Sequence, residues 1–145
     1  MKKALVSILL TSLFLSSCSP GKSSGLKNLK IGNTRIQVEI AKTPQELAKG
    51  LSGRSGIAAD RGMLFIFDYK DYYEFWMKDV QFPLDFIWIN GDKVVDITPS
   101  VQPPLFDGDL KIYKPQEPVD KVLEVKADFT FFHQIKAGDR IDLED

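Results

Sequence analysis

The chain has 145 residues, 43% hydrophobic and 27% charged, the makeup of one globular domain with a single core and not of two domains. Nineteen Lys and Arg face twenty Asp and Glu, giving a formal charge of −1 and a pI near 5.9, with the two signs interleaved. That balance excludes the basic field on which nucleic-acid binding depends.

The first 17 residues differ from the rest. Lys2 and Lys3 precede an apolar run from Ala4 to Leu15, and small residues follow at Ser16 and Ser17. This is the pattern of an export signal, far shorter than the roughly 20 residues of a permanent membrane helix. Leu15-Ser16-Ser17-Cys18 resembles the lipobox of bacterial lipoproteins, in which lipid is attached to the Cys thiol and the signal is cut just before it. The competing reading is an ordinary cleavage site that carries a cysteine. Cys18 is the only cysteine, so no intramolecular disulfide can form. Lipidation would also remove a thiol otherwise exported to an oxidising compartment. The resemblance implies a palmitate-bearing lipoprotein with two or three acyl chains, enough for stable attachment to a membrane of the cell envelope. Ser19, where an Asp would imply inner-membrane retention, implies the outer membrane facing the periplasm in a source that has one.

Residues 18–29 are rich in Ser, Gly and Lys and read as a lipidated flexible tether, leaving residues 30–145 as a single β-rich domain. The domain opens with a strand in which Ile36, Val38 and Ile40 alternate with Arg35, Gln37 and Glu39. Ile31 stands before it, with Gly32-Asn33 as a turn or bulge. Thr43-Pro44-Gln45-Glu46 combines a cap, a proline at the first helical position and a capping-box Glu, which predicts a short helix ending near Gly50 or Gly53. Leu47 and Leu51, one turn apart, would face the core. Residues 52–61 carry two glycines and no period, and read as a loop.

Gly62 to Asp85 holds half of the aromatic residues, among them Phe65, Phe67, Tyr72, Tyr73, Phe75 and Trp76. Met63 to Phe67 reads as a buried strand, residues 68–73 as a turn and Glu74 to Lys78 as a second short strand. Pro83 stops pairing before a strand from Leu84 to Ile89, apolar on both faces and therefore expected to be central. Asn90-Gly91 predicts a type I′ hairpin into a strand from Lys93 to Thr98. Five prolines between residues 99 and 118 mark a long irregular loop, with Leu110 to Tyr113 as a short strand inside it. A strand from Val119 to Ala127, a single helical turn after Asp128 and a last strand from Arg140 to Leu143 complete the chain. These elements predict a mainly β (β-rich α+β) fold, a small barrel-like or jelly-roll-like sandwich with one short N-terminal helix.

Gly50-Leu51-Ser52-Gly53-Arg54, Gly62-Met63-Leu64-Phe65, Phe75-Trp76-Met77-Lys78, Pro83-Leu84-Asp85, Val122-Leu123-Glu124 and Gly138-Asp139, in this order and at these spacings, resemble the domain-of-unknown-function 192 family of bacteria and archaea. The resemblance covers about Ile36 to Leu143. It implies a small β-barrel-like or jelly-roll-like sandwich and no particular activity. Ser52 departs from the family's larger residue, and Asp79-Val80 from its Asn-Thr.

Asp85 and Glu124 sit on strands with apolar neighbours, where a carboxylate either pairs with a cation or becomes a raised-pKa acid of the kind used in glycoside chemistry. Arg54 and Lys78 could supply the cation, and a structural ion pair is the plainer reading. Trp76, Tyr72, Tyr73 and Trp88 could form a platform for a sugar or another flat ligand, although a Trp on a strand, Trp88 above all, belongs more often to the core. His133 is the only histidine and has no partner at zinc-ligand spacing. Asp68, Asp71, Asp107 and Asp109 lack the spacing of a calcium loop. No phosphate-binding glycine motif or nucleophile elbow is present, and no cofactor or metal is expected.

The leading expectation is therefore a membrane-anchored, non-catalytic binding or accessory domain. Its site would contain Arg54, Trp76, Met77, Lys78, Asp85 and Glu124, and its ligand would be an envelope glycan or a small molecule. The alternatives are a structural protein of an envelope assembly or a polysaccharide hydrolase using Asp85 and Glu124. The hydrolase needs the two carboxylates about 5 to 9 Å apart across one cleft.

Overall fold

A computed structural model of the protein describes residues 25–144 except Asp107 and Asp109. The expected export signal, Cys18 and most of the expected tether lie outside those residues. Seven strands form one sheet: β1 (Lys27–Ile31), β2 (Thr34–Ala41), β3 (Arg61–Asp71), β4 (Leu84–Asn90), β5 (Lys93–Val101), β6 (Val119–Lys126) and β7 (Ile141–Glu144). Their spatial order is β5-β4-β6-β3-β2-β1-β7. Neighbours are antiparallel except β2 and β3, whose parallel pairing requires a crossover. Residues 42–60, including the helix α1 (Pro44–Lys49), supply it.

At one end the outer strands meet. Val94 N–H donates to the Asp139 carbonyl and Gly138 N–H to the Val94 carbonyl, both at 2.8 Å. Lys93 bridges Arg140, whose guanidinium pairs with Asp92. The sheet is thus curled into a half-barrel, the barrel-like of the two expected architectures. Closure also leaves fewer unpaired backbone groups on the sheet edges.

Alternation along the strands sorts the apolar residues onto two faces. The concave face takes residues from all seven strands, including Leu29, Ile36, Val38, Leu64, Ile87, Val94, Leu123 and Ile141, closed by Phe129 of α2 (Phe129–Phe132) and by Ile135. The outer face takes Ala41, Met63, Phe65, Phe86, Trp88 and Val122 from the middle strands and is covered by Leu51, Met77 and Val80. Trp88 is fully buried there, and its indole N–H donates to Thr98 Oγ1 at 2.9 Å. Among the described residues the buried core runs from Leu29 to Ile141, so residues 25–145 contain the whole of that core.

α1 forms as its sequence predicts. Glu46 N–H donates to Thr43 Oγ1 and Thr43 N–H to Glu46 Oε2, the two bonds of a capping box, and Gly50 ends the helix at a φ of 47°. A side chain at Gly50 would lie 3.1 Å from the Phe65 ring, so close helix–sheet packing also requires glycine there.

Four expectations change. The sheet begins at Lys27, three residues inside the expected tether, because Leu29 is fully buried in the concave core. The turn after β4 is Gly91-Asp92, with Asn90 paired to Lys93, and of the two turn residues only Gly91 has positive φ, so it is not type I′. β3 continues to Asp71 through the residues expected to turn. Residues 74–78 are not a strand: Phe75 alone bridges, to Tyr113, and Tyr113 makes no longer strand in the proline-rich loop.

Asp85, at the start of β4, is fully buried on the concave side. Its Oδ1 accepts from the N–H groups of Ser100 (2.8 Å) and Asp128 (3.2 Å), and its Oδ2 from Thr130 N–H (2.9 Å) and Thr130 Oγ1 (2.7 Å). Ser100 and Asp128 both have positive φ, at 51° and 69°, a conformation that non-glycine residues adopt only when held. Asp85→Ala strands four donors and is expected to lower stability by at least about 3 kcal/mol. A urea unfolding midpoint that drops at unchanged slope is the expected observation. A loss below about 1 kcal/mol would show that these bonds do not hold the bends.

Candidate functional site

Across the outer face, Glu39 of β2, Met63 of β3, Glu124 of β6 and Phe86 of β4 stand in one row. Glu39 and Glu124 are two strand spacings apart, about 10 Å at the backbone. Above the row lies a cavity of about 210 Å³. Leu47, Gly50, Leu51 and Ser52 of the crossover form one wall, and Tyr73, Phe75, Trp76 and Val80 form another, with Phe65, Phe67 and Glu124 beneath. The walls exist because the crossover and the segment after β3 must both return over this face, bringing their apolar side chains onto the sheet.

Glu124 is only 5% exposed, and its Oε2 has no hydrogen-bond partner. Burial raises its pKa to about 8, and the field of Arg54 only partly offsets this. Glu124 is therefore mainly a neutral acid at pH 7. Arg54 is held elsewhere: its two terminal nitrogens donate to Glu39 at 2.6 and 2.8 Å in a bidentate pair. Those bonds hold the Glu39 carboxyl below its ordinary range. Three other polar side chains of the lining are also engaged. Ser52 Oγ donates to the Lys78 carbonyl at 2.9 Å, Tyr73 O–H to the Tyr69 carbonyl at 2.8 Å, and Glu74 pairs with Lys114 at 2.7 Å.

The residues singled out from the sequence separate into three groups. Trp76 and Glu124 line the cavity, and Arg54 acts on Glu124 through its field. Met77 is buried and faces a different hollow, beside Pro103, Pro104 and Tyr113, while Lys78 is exposed and outside the cavity lining. Asp85 is on the opposite side of the sheet: it stands across from Val125, one residue out of phase with Glu124, which stands across from Phe86. Two carboxylates on opposite faces cannot flank one glycosidic bond, so the expected acid pair does not exist. Of the two tryptophans Trp76 is 45% exposed and Trp88 is core. Two positions that depart from the family pattern, Ser52 and Val80, both line the cavity.

Glu39, Phe65 and Phe67 had no place in the expected site, whereas Tyr73, expected beside Trp76, lines the cavity with it. Glu39 could have been suspected from Ala41, two residues on along the same face of β2, because a face carrying both a small apolar residue and a Glu is covered at one end. Among the described residues, no three His, Cys, Asp or Glu side chains are grouped to hold a metal ion.

The buried acid makes stability depend on pH with a defined sign. A carboxyl whose folded pKa lies above its unfolded value of 4.5 holds a proton that the unfolded chain has released. Its favourable contribution is complete below pH 4.5 and is lost as the pH rises toward about 8. The loss is on the order of 1 kcal/mol per pH unit in that window. The Tm should therefore fall between pH 5 and 8, and Glu124→Gln should remove most of that fall. An equal pH slope in the two proteins would contradict the assignment.

Two solved structures share the fold. One is a proposed transcription regulator of Sinorhizobium meliloti 1021, 28% identical with a TM-score of 0.76, the match covering 83% of this chain and 95% of that one. The other is a protein of unknown function from Novosphingobium aromaticivorans DSM 12444, 27% identical with a TM-score of 0.76, covering 85% and 89%. Comparison with curated proteins finds no match. Residues 27–143 match the domain-of-unknown-function 192 family, described as Uncharacterized ACR, and the chain belongs to that family.

Proposed function

We propose that the protein is a lipid-anchored, non-catalytic binding domain of the cell envelope that holds a small molecule in the cavity above Glu124. The observation that carries the reading is Glu124 Oε2, among the described residues the one buried side-chain polar atom without a hydrogen-bond partner, beneath a largely apolar cavity. Native structures rarely leave such an atom unpaired without a functional reason. A concave apolar site with one polar group reserved for the occupant is the usual form of a small-molecule pocket. Trp76, exposed at the cavity, offers a flat surface to the incoming molecule. The envelope location rests on the lipobox ending at Cys18. The Sinorhizobium protein's description as a regulator is not carried over, since the balanced charge here gives nucleic acid little to bind.

Two measurements test the reading. In a thermal-shift screen of residues 25–145 against envelope glycans and small aromatic amides, at least one compound should raise the Tm. Trp76→Ala should abolish that rise while its own Tm stays within a few degrees of the parent. A variant that simply unfolds would make Trp76 a core residue, and a screen without a hit would count against the site. In cells, Cys18→Ser should leave the membrane fraction for the soluble one, and unchanged membrane association would end the anchoring proposal.

A further inference from the structure

We infer that the occupant of the cavity is a neutral, largely apolar molecule with one carbonyl or ether oxygen, which accepts a hydrogen bond from the carboxyl O–H of Glu124. The inference rests on the binding reading above and adds the chemistry of the ligand. The cavity's volume of about 210 Å³ equals about seven water-sized groups at about 30 Å³ each, so the buried part of the ligand is a ring or short acyl group.

The alternative that aromatic walls bring to mind is an organic cation, and the geometry disfavours it. A cation cage presents several free ring faces. Here Phe67 and Tyr73 are stacked on each other at 3.6 Å, and Phe65 and Phe75 meet edge to face at 5.0 Å. Phe75 also meets Trp88 at 5.5 Å. Among the described residues of the cavity, only Trp76 has no ring partner.

The charges point the same way. From β2, Glu39 is committed to Arg54, and from the loop after α1, Arg54 projects its positive field onto Glu124. On the segment after β3, Glu74 is paired with Lys114, and on β6, Asp120 is paired with Lys121 at 3.2 Å. Across from Glu124, β3 and β4 present the apolar Met63 and Phe86, and α1 contributes only the exposed Lys49 at the rim. An ammonium ion would thus meet positive charge from two sides, and of the two carboxyl groups in the lining Glu124 is kept protonated by burial and Glu74 is paired with Lys114. A ligand oxygen meets the donor that the protein itself leaves unused.

Protein-observed NMR on residues 25–145 decides between the two with acetanilide, a neutral aromatic amide, and benzylamine, a cation. Acetanilide should perturb the Trp76 indole N–H and the amides of Ser52 and Val80. Its affinity should be level below pH 7 and fall about tenfold between pH 7 and 9, as Glu124 ionises. Glu124→Gln, which keeps an N–H donor, should still bind acetanilide but without the pH dependence. Glu124→Leu should stay folded and bind at least about tenfold more weakly than the parent at pH 7. Acetanilide binding that is indifferent to pH and to Glu124→Leu would overturn the role given to Glu124. Benzylamine binding that strengthens from pH 6 to 8, with no acetanilide binding, would overturn the neutral ligand and leave the binding site standing. No perturbation by either probe would overturn both the inference and the binding reading beneath it.

Discussion

The Asp85 carboxylate is the point on which the geometry of the sheet's lower end depends. It collects four donors from three places in the chain: the end of β5, the joint after β6, and the first turn of α2. Two of those donors belong to residues in left-handed conformation, and Ser100 Oγ also donates to Asp128 Oδ1 at 3.0 Å. With the bends fixed, β5 stays beside β4, and α2 is set over the concave core through Phe129. A buried carboxylate this well bonded is a structural part whose chemistry is fully used.

The two conspicuous acids of the chain therefore have opposite characters for one geometrical reason. Side chains alternate across a strand, and Asp85 and Glu124 fall one residue out of phase in the β4–β6 ladder. Asp85 meets backbone N–H groups, whereas Glu124 meets aromatic rings and a distant guanidinium. The same sheet thus satisfies one carboxylate completely and leaves one oxygen of the other without a partner.

Much of this was legible in the sequence. Period-2 alternation located the strands, since a curled sheet with both faces covered repeats the apolar pattern on each of them. The Thr43–Glu46 capping box located α1, because capping is local chemistry. Residues 73–77 show where local pattern and structure part. Tyr73, Phe75 and Met77 turn inward while Glu74 and Trp76 turn outward, as in a strand, yet only Phe75 makes a bridge. The alternation there records burial against the outer face and not membership of the sheet. The relation of Asp85 to Glu124 was not legible at all, because it depends on the register between two strands more than thirty residues apart. Arg54 was found but its partner was not, since Glu39 reads as an ordinary outward residue until the crossover is laid over it.

The parallel pairing of β2 and β3 has an effect on how this protein can change over generations. Because those strands run the same way, the chain must cross the outer face between them, and the crossing is the wall of the cavity. None of the six residues of α1 is fully buried, while Glu124 sits in the middle of the sheet with strands on both sides. Substitutions in the wall at positions such as Leu47, Ala48 or Ser52 leave the concave core untouched and fall among those a marginally stable domain tolerates. The floor has no such latitude. A lineage built on this architecture can reshape the cavity by drift along a single exposed helix and loop, while the buried acid at its floor stays the same.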